Sequence, residues 1–272
     1  MKIAAIQMVS TPRVADNLAA ARRLVARAAH EGAQLVALPE YFCVMGQTDR
    51  DKLEVAEQAA AGPIQQTLAD LAREHGVWLI GGTLPLRSVD PDRVLNSNCV
   101  FAPDGSLAAR YDKIHLFKYD NGRERYDEGN AIRAGTLPTT FQAGELKVGL
   151  SVCYDLRFPE LYRELMHPPC DLISVPAAFT YTTGLAHWEL LLRARAVENQ
   201  CYVIAAAQGG THENGRRTFG HSMVVDPWGT VLNVLPEGEG VVLAELDPAR
   251  TASVRLQLPA LEHRRTAASV SC

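Results

Sequence analysis

No uninterrupted apolar stretch in this sequence approaches the roughly 18 residues expected of a membrane-spanning helix, so a helical membrane protein is excluded. The amino terminus, MKIAAIQMVS, stays apolar only until Ser10, Thr11 and Pro12. It lacks the longer apolar stretch and small-residue cleavage site of a secretory signal, so the chain is expected to remain in the cytoplasm without a membrane partner. No run of about five or more like charges occurs, and Lys+Arg 27 against Asp+Glu 31 gives a net charge of −4. Nothing in that balance suggests a nucleic-acid partner. The six cysteines (Cys43, Cys99, Cys153, Cys170, Cys201 and Cys272) form no C-x-x-C pair. Metal ribbons and disulfide frameworks need tighter or more regular spacing, so most of these are expected to be inert buried thiols in a reducing compartment. The histidines form no ligand cluster, and no zinc site is expected. There is no internal repeat and no low-complexity linker. Residues 1–272 are therefore read as one domain, with about 247–272 as a frayed tail or an arm over a partner subunit.

What is present is an ordinary globular composition, 47% hydrophobic and 21% charged, enough for a substantial core. Lys2–Met8, Gln34–Leu38 and Val77–Gly82 read as strands; Asn17–His30 and Pro63–Gly76 have helical spacing, the latter with proline in its first turn and glycine at its end. Leu95–Phe101 and Leu107–Asp112 flank the turn Ala102-Pro103-Asp104-Gly105. Val148–Val152, Asp171–Val175, Tyr202–Ala207 and Ser222–Asp226 are further strands, Glu160–Met166 and His187–Glu198 helices, and Val231–Leu235 with Gly240–Leu246 a final hairpin. Strands separated by helices imply a layered α/β domain with helices covering the outer faces of sheets.

Three residues stand out, and each has an ordinary explanation when taken alone. Glu40 follows Leu38-Pro39 at the end of an apolar strand, where it can cap the next turn or act as a rigidly held proton acceptor. Lys113 lies in Arg110-Tyr111-Asp112-Lys113-Ile114-His115-Leu116-Phe117 and reads either as a solvated charge or as an ammonium aimed at a developing oxyanion. Strand alternation directs Asp112 and His115 away from or beside Lys113. Cys153 ends the apolar run Val148–Val152 and reads either as a small core hydrophobe or as a nucleophile at a strand-to-helix junction. Backbone N–H groups at such a junction can stabilise a thiolate and an oxyanion.

Taken together, Leu38-Pro39-Glu40-Tyr41, Tyr111–Leu116 and Val152-Cys153-Tyr154-Asp155-Leu156-Arg157-Phe158-Pro159-Glu160, in that order, resemble the nitrilase superfamily of carbon–nitrogen hydrolases and its Glu–Lys–Cys triad. The resemblance runs from Met1 to about Arg265. It implies a four-layer αββα sandwich, a homodimer or higher homo-oligomer formed sandwich to sandwich, and no metal or organic cofactor. A second family glutamate matches Glu128 in Tyr126-Asp127-Glu128-Gly129, with Glu124 as a rival in the charged segment Lys118–Gly129.

The chemistry that follows is acyl transfer through a thioester. Glu40 takes the Cys153 proton, Lys113 and the Tyr154 backbone N–H meet the oxyanion, and Glu128 orients Lys113. Tyr154-Asp155 after the cysteine resembles the amidase-type branch. Pro176–Thr180, Thr183–Glu189, Arg193–Ala196 and Gly220–Gly229 resemble the group that hydrolyses deaminated glutathione to 2-oxoglutarate and Cys-Gly. A small-molecule amide bearing a carboxylate is the partner so implied. Arg157 can clamp that carboxylate or pair internally with Asp155 or Glu160. Phe179 and Thr183 match the loop lining the family's pocket; otherwise Phe179 is core and Thr183 a helix cap. The alternatives are an ω-amidase on 2-oxoglutaramate-type acids, an N-carbamoyl-amino-acid hydrolase, and a catalytically silent homologue that binds small amides.

Overall fold

The computed structural model describes residues 1–265. The amino-terminal half contains β1 (Lys2–Gln7), α1 (Val14–His30), β2 (Leu35–Ala37), α2 (Asp51–Glu54), α3 (Pro63–His75), β3 (Trp78–Ile80), β4 (Leu84–Arg87), β5 (Val94–Phe101) and β6 (Leu107–Asp112). A small hairpin, β7 (Lys118–Asp120) and β8 (Arg125–Asp127), leads to β9 (Ile132–Arg133) and then β10 (Thr139–Ala143) and β11 (Leu146–Leu150). Next come α4 (Pro159–Glu164), β12 (Leu172–Ser174), α5 (Tyr181–Asn199), β13 (Tyr202–Ala205), β14 (Gly209–Thr211) and β15 (Arg217–Phe219). The described chain finishes with β16 (Ser222–Val225), β17 (Val231–Leu235), β18 (Gly240–Glu245) and α6 (Pro248–Gln257).

The strands form two main sheets. One runs β18-β1-β2-β3-β5-β4, with β6 and β9 also on β5; the other runs β10-β11-β12-β13-β16-β17. In β1, Ile3 and Ala5 face the second sheet, in a core shared with Val148 and Leu150, while Ala4 and Ile6 face α1 and α3. That alternation is the period-two signature of a strand buried on both sides. α1 buries Ala21, Leu24, Val25 and Ala28, the stripe that helical periodicity predicts. α3 starts at Pro63 and stops at Gly76, whose φ of 62° is left-handed, as proline at the start and glycine at the end require. On the other outer face, α4 and α5 contribute Leu161, Tyr162, Trp188, Leu192 and Ala196 to the core beneath the second sheet. Helix, sheet, sheet, helix is the expected four-layer α/β sandwich.

Two expectations need correction. β17 and β18 are not a hairpin: β17 pairs with β16, and β18 pairs antiparallel with β1 in the other sheet. Their connection crosses the seam, and its backbone groups are taken elsewhere. Pro236 O accepts from His221 N at 3.0 Å, and Gly238 N donates to Gly209 O at 2.9 Å. α5 begins six residues before His187, because Thr180 supplies the N-cap and accepts from Thr183 N. Thr183 is therefore the capped residue, not the cap. The stretch after Leu246 opens as α6, which is tied to its own chain: Arg255 donates to Gln200 O and Cys170 O at 3.1 and 2.6 Å. The remainder of that stretch, 266–272, lies outside the described residues.

Candidate active site

The ends of neighbouring strands meet at one point of the seam. Glu40 follows β2 and Lys113 follows β6, both in the first sheet; Cys153 follows β11 in the second. Glu40 is fixed by local backbone geometry. Gly82, at φ 62°, presses so close to the preceding turn that a Cβ would lie 2.1 Å from Pro39 O. Tyr41, itself at φ 57°, is held by a 2.9 Å hydrogen bond from its N–H to Thr83 Oγ1. A bulky residue in the left-handed region signals strain imposed by the surroundings.

The three chemical side chains are all buried. Glu40 Oε1 accepts from Lys113 Nζ at 2.8 Å and from Asn96 Nδ2 at 3.0 Å, and its Oε2 accepts from Ala178 N at 3.0 Å. Lys113 Nζ also donates to Glu128 Oε2 and Oε1 at 2.8 and 3.0 Å. Glu128 in turn accepts from Phe117 N at 2.7 Å and Tyr41 OH at 2.6 Å. Burial alone lowers the Lys113 pKa, but Glu128, Glu40 and Cys153 outweigh it and hold the ammonium above its ordinary value. Burial raises the Glu128 pKa, yet Lys113 and its other donors bring the carboxyl below the usual range. Burial, then Glu40, push the Cys153 thiol well above its ordinary value, against the pull of Lys113. The surroundings thus favour the protonated thiol over the thiolate at rest.

Cys153 opens a 3₁₀ turn, Cys153–Arg157, with φ 49°. Its own N–H is taken by Pro176 O at 2.9 Å. The next N–H, that of Tyr154, belongs to the first turn, whose donors have no helical acceptor. Asp155 locks this turn to the loop carrying Lys113. It is fully buried and accepts from Val152 N at 2.8 Å, Tyr111 OH at 2.7 Å and His115 N at 3.0 Å. His115 Nδ1 lies 2.8 Å from the same carboxylate and its ring stacks on Phe158, so this histidine faces away from the sulfur cluster.

A narrow cleft opens onto Cys153, with Glu128, Tyr154, Arg157, Phe179 and Thr183 on its walls. Every site residue expected from the sequence therefore lies at this one place. Arg157 pairs with neither Asp155 nor Glu160; its guanidinium lies over Phe179 at 5.4 Å and touches His187 Nδ1 at 3.2 Å. Phe179 is both cleft wall and core, stacking on Trp188 at 4.8 Å between centroids. Glu128, not Glu124, reaches Lys113; Glu124 instead accepts from Thr182 Oγ1 at 3.0 Å, tying the β7–β8 hairpin to α5. Sequence reasoning assigned no role in the site to Asn96, Tyr41, Phe117 and Arg216, and gave Asp155 only as a branch marker and a possible partner of Arg157. Of these, Tyr41 and Asp155, inside the motifs of Glu40 and Cys153, carried a usable signal. Among the described residues, no group of three or more His, Cys, Asp or Glu side chains is placed to hold a metal ion, and no helix is long and apolar enough to cross a membrane.

A thiol, a carboxylate and an ammonium in one dry cluster can perform nucleophilic acyl transfer. Known proteins carry the same frame. The carbon-nitrogen hydrolase family profile matches residues 2–256. The deaminated glutathione amidase of Synechocystis sp. is 41% identical over 265 residues, covering 96% of this chain and 97% of that protein. The structure of yeast Nit3, a member of branch 10 of the nitrilase superfamily, superposes with a TM-score of 0.88 at 33% identity, over 98% of this chain and 97% of that one. The Caenorhabditis elegans NitFhit protein gives a TM-score of 0.88 at 39% identity over 97% of this chain, which spans only 65% of that longer protein. The chain belongs to the carbon–nitrogen hydrolase family, within the nitrilase superfamily.

Proposed function

We propose that this protein is a thiol amidase that hydrolyses deaminated glutathione to 2-oxoglutarate and Cys-Gly. The observation that carries the reading is the buried convergence of Glu40 and Lys113 from one sheet on Cys153 from the other. The 41% identical deaminated glutathione amidase supports the choice of substrate.

Glu40 takes the thiol proton as sulfur attacks the amide carbonyl, so charge never develops on an isolated thiolate. Lys113 and the Tyr154 N–H receive the oxyanion. The longer of the two Lys113–Glu128 contacts, 3.0 Å, is the one exchanged for it. Glu40 then passes its proton to the departing amine, leaving a thioester. The same carboxylate activates the water that releases the acid. Glu128 keeps Lys113 charged and aimed. Arg157, which has no ion pair among the described residues, receives the carboxylate of the 2-oxo acid.

The experiment is hydrolysis of deaminated glutathione, 2-oxoglutaramate and an N-carbamoyl amino acid by wild type and Cys153→Ala. Deaminated glutathione is expected to give the highest kcat/KM, with no turnover by the variant. Full activity in purified Cys153→Ala would refute the mechanism, and a preference for 2-oxoglutaramate would make the enzyme an ω-amidase.

The protein is further proposed to act as a homo-oligomer in the cytoplasm. The five described cysteines are all unpaired, which fits a reducing compartment. Leu190 and Val197, two turns apart on α5, are exposed, as is Trp228. Arg193 lies between them and donates to Gly229 O at 2.8 Å, bringing Trp228 alongside. An apolar face of this kind favours a second copy of the chain.

A further inference from the structure

We propose that Arg216 is a specificity-determining residue that binds the glycine carboxylate of the Cys-Gly leaving group; this rests on the deaminated-glutathione reading. The cleft at Cys153 holds only about 10 Å³ of free space, against the roughly 300–1,000 Å³ of a pocket that encloses a whole ligand. A substrate whose amide reaches Cys153 must therefore extend beyond the cleft, and its leaving half points out through the opening. Beside it lies a groove of about 510 Å³ between the turn 45–49, the β7–β8 hairpin and the turn 214–217. Arg216 lines both spaces.

Three other cations along the groove are already engaged. Lys52 holds Asp49 at 3.0 Å, Arg125 lies 3.8 Å from Asp120, and Arg217 holds Glu237 at 3.2 Å. Arg123 sits on the exposed tip of the hairpin and does not reach the inner cleft. Arg216 differs from all of these. Among the described residues no carboxylate pairs with it, one Nη donates to Ala178 O at 2.7 Å, and its guanidinium lies 5.1 Å above the Tyr126 ring. Its Nε is buried with no hydrogen-bond partner. A stacked guanidinium with a donor to spare is a preorganised fork for a carboxylate.

The chemistry of the substrate fits that placement. Deaminated glutathione carries two carboxylates, one on each side of the scissile amide. Arg157 and Arg216 are two guanidiniums on the walls of one cleft, neither with a carboxylate partner among the described residues. The leaving half is a dipeptide, and two extended residues span at most ~7 Å. Its terminal carboxylate therefore stays near the mouth that Arg216 guards.

The test compares deaminated glutathione with its glycinamide analogue, in which only the distal carboxylate is neutralised. For the wild type, kcat/KM is expected to favour the acid by roughly 10- to 100-fold, the worth of a charged hydrogen bond. In Arg216→Gln that ratio is expected to collapse to within about threefold, mostly through KM, and Arg216→Lys should retain an intermediate preference. A wild type that treats acid and amide alike overturns the inference without recourse to any variant. So does an Arg216→Gln variant that slows both substrates equally, the outcome if Arg216 only braces Ala178; the substrate reading then survives. A wild type inactive on deaminated glutathione overturns that reading, and this inference with it.

Discussion

Asp155→Asn tests how tightly the loop bearing Cys153 is coupled to the loop bearing Lys113. One carboxylate oxygen takes Val152 N and Tyr111 OH, and the other takes His115 N and lies against His115 Nδ1. Burial and Asp155 push the Tyr111 pKa up, so its hydroxyl stays a donor. In the amide, one of these oxygens becomes an NH₂ group. Tyr111 OH can rotate and the His115 ring can change tautomer, but a backbone N–H cannot reverse its role. Whichever way the amide is turned, one buried backbone N–H loses a charged acceptor, at a cost of about 1.5–3 kcal/mol. The midpoint of thermal unfolding should fall by roughly 3–12 °C. The variant should also shift the sulfur relative to Glu40 and Lys113, and a misplacement of ~1 Å can cost ~10²-fold in rate. The expected signature is a kcat reduced by about 10- to 100-fold with KM within about threefold of wild type. Steady-state kinetics beside a melting curve reads both quantities. A folded Asp155→Asn protein with kcat within about twofold of wild type would refute the coupling.

Other consequences are equally direct. Gly82→Ala would place a Cβ 2.1 Å from Pro39 O at a left-handed φ; overpacking costs about 1–3 kcal/mol, so melting temperature and activity should fall together, because the displaced peptide precedes Glu40. Glu128 has a depressed pKa in the folded protein, so its stabilisation is complete above the ordinary carboxylate value of 4.5 and is lost as pH falls towards the lower folded value. Melting temperature against pH should therefore decline more steeply on the acid side for wild type than for Glu128→Gln, whose kcat is also expected to fall about 10- to 100-fold through a misaimed Lys113. Leu190→Lys should shift the protein towards monomer in analytical ultracentrifugation; an unchanged sedimentation coefficient would remove α5 from the interface.

Much of the site was legible because its three chemical residues sit in contiguous motifs, two of them, Glu40 and Cys153, at the end of an apolar run. Local composition announces the strand, and the motif names the residue that follows it. What surrounds them was not legible. Asn96 and Ala178 N reach Glu40 across sequence separations of 56 and 138, and only the packing of the sheets brings them there. The rivalry between Glu124 and Glu128 turned on direction: Glu128 begins a 3₁₀ turn facing Lys113, while Glu124 sits in the β7–β8 hairpin against Thr182. β17 and β18 look like a hairpin because strand pattern reports exposure, not partner. Arg216 gave no signal at all, since an arginine in a Gly-Arg-Arg turn reads as a solvated charge.

The nucleophile and its base are mounted on separate slabs of the sandwich, with Asp155 as a rivet between them. Enzymatic activity is therefore a gauge of how well the two slabs are aligned. A shear too small to alter ellipticity would still draw sulfur and carboxylate apart, so in mild denaturant catalysis should vanish before any strand is lost.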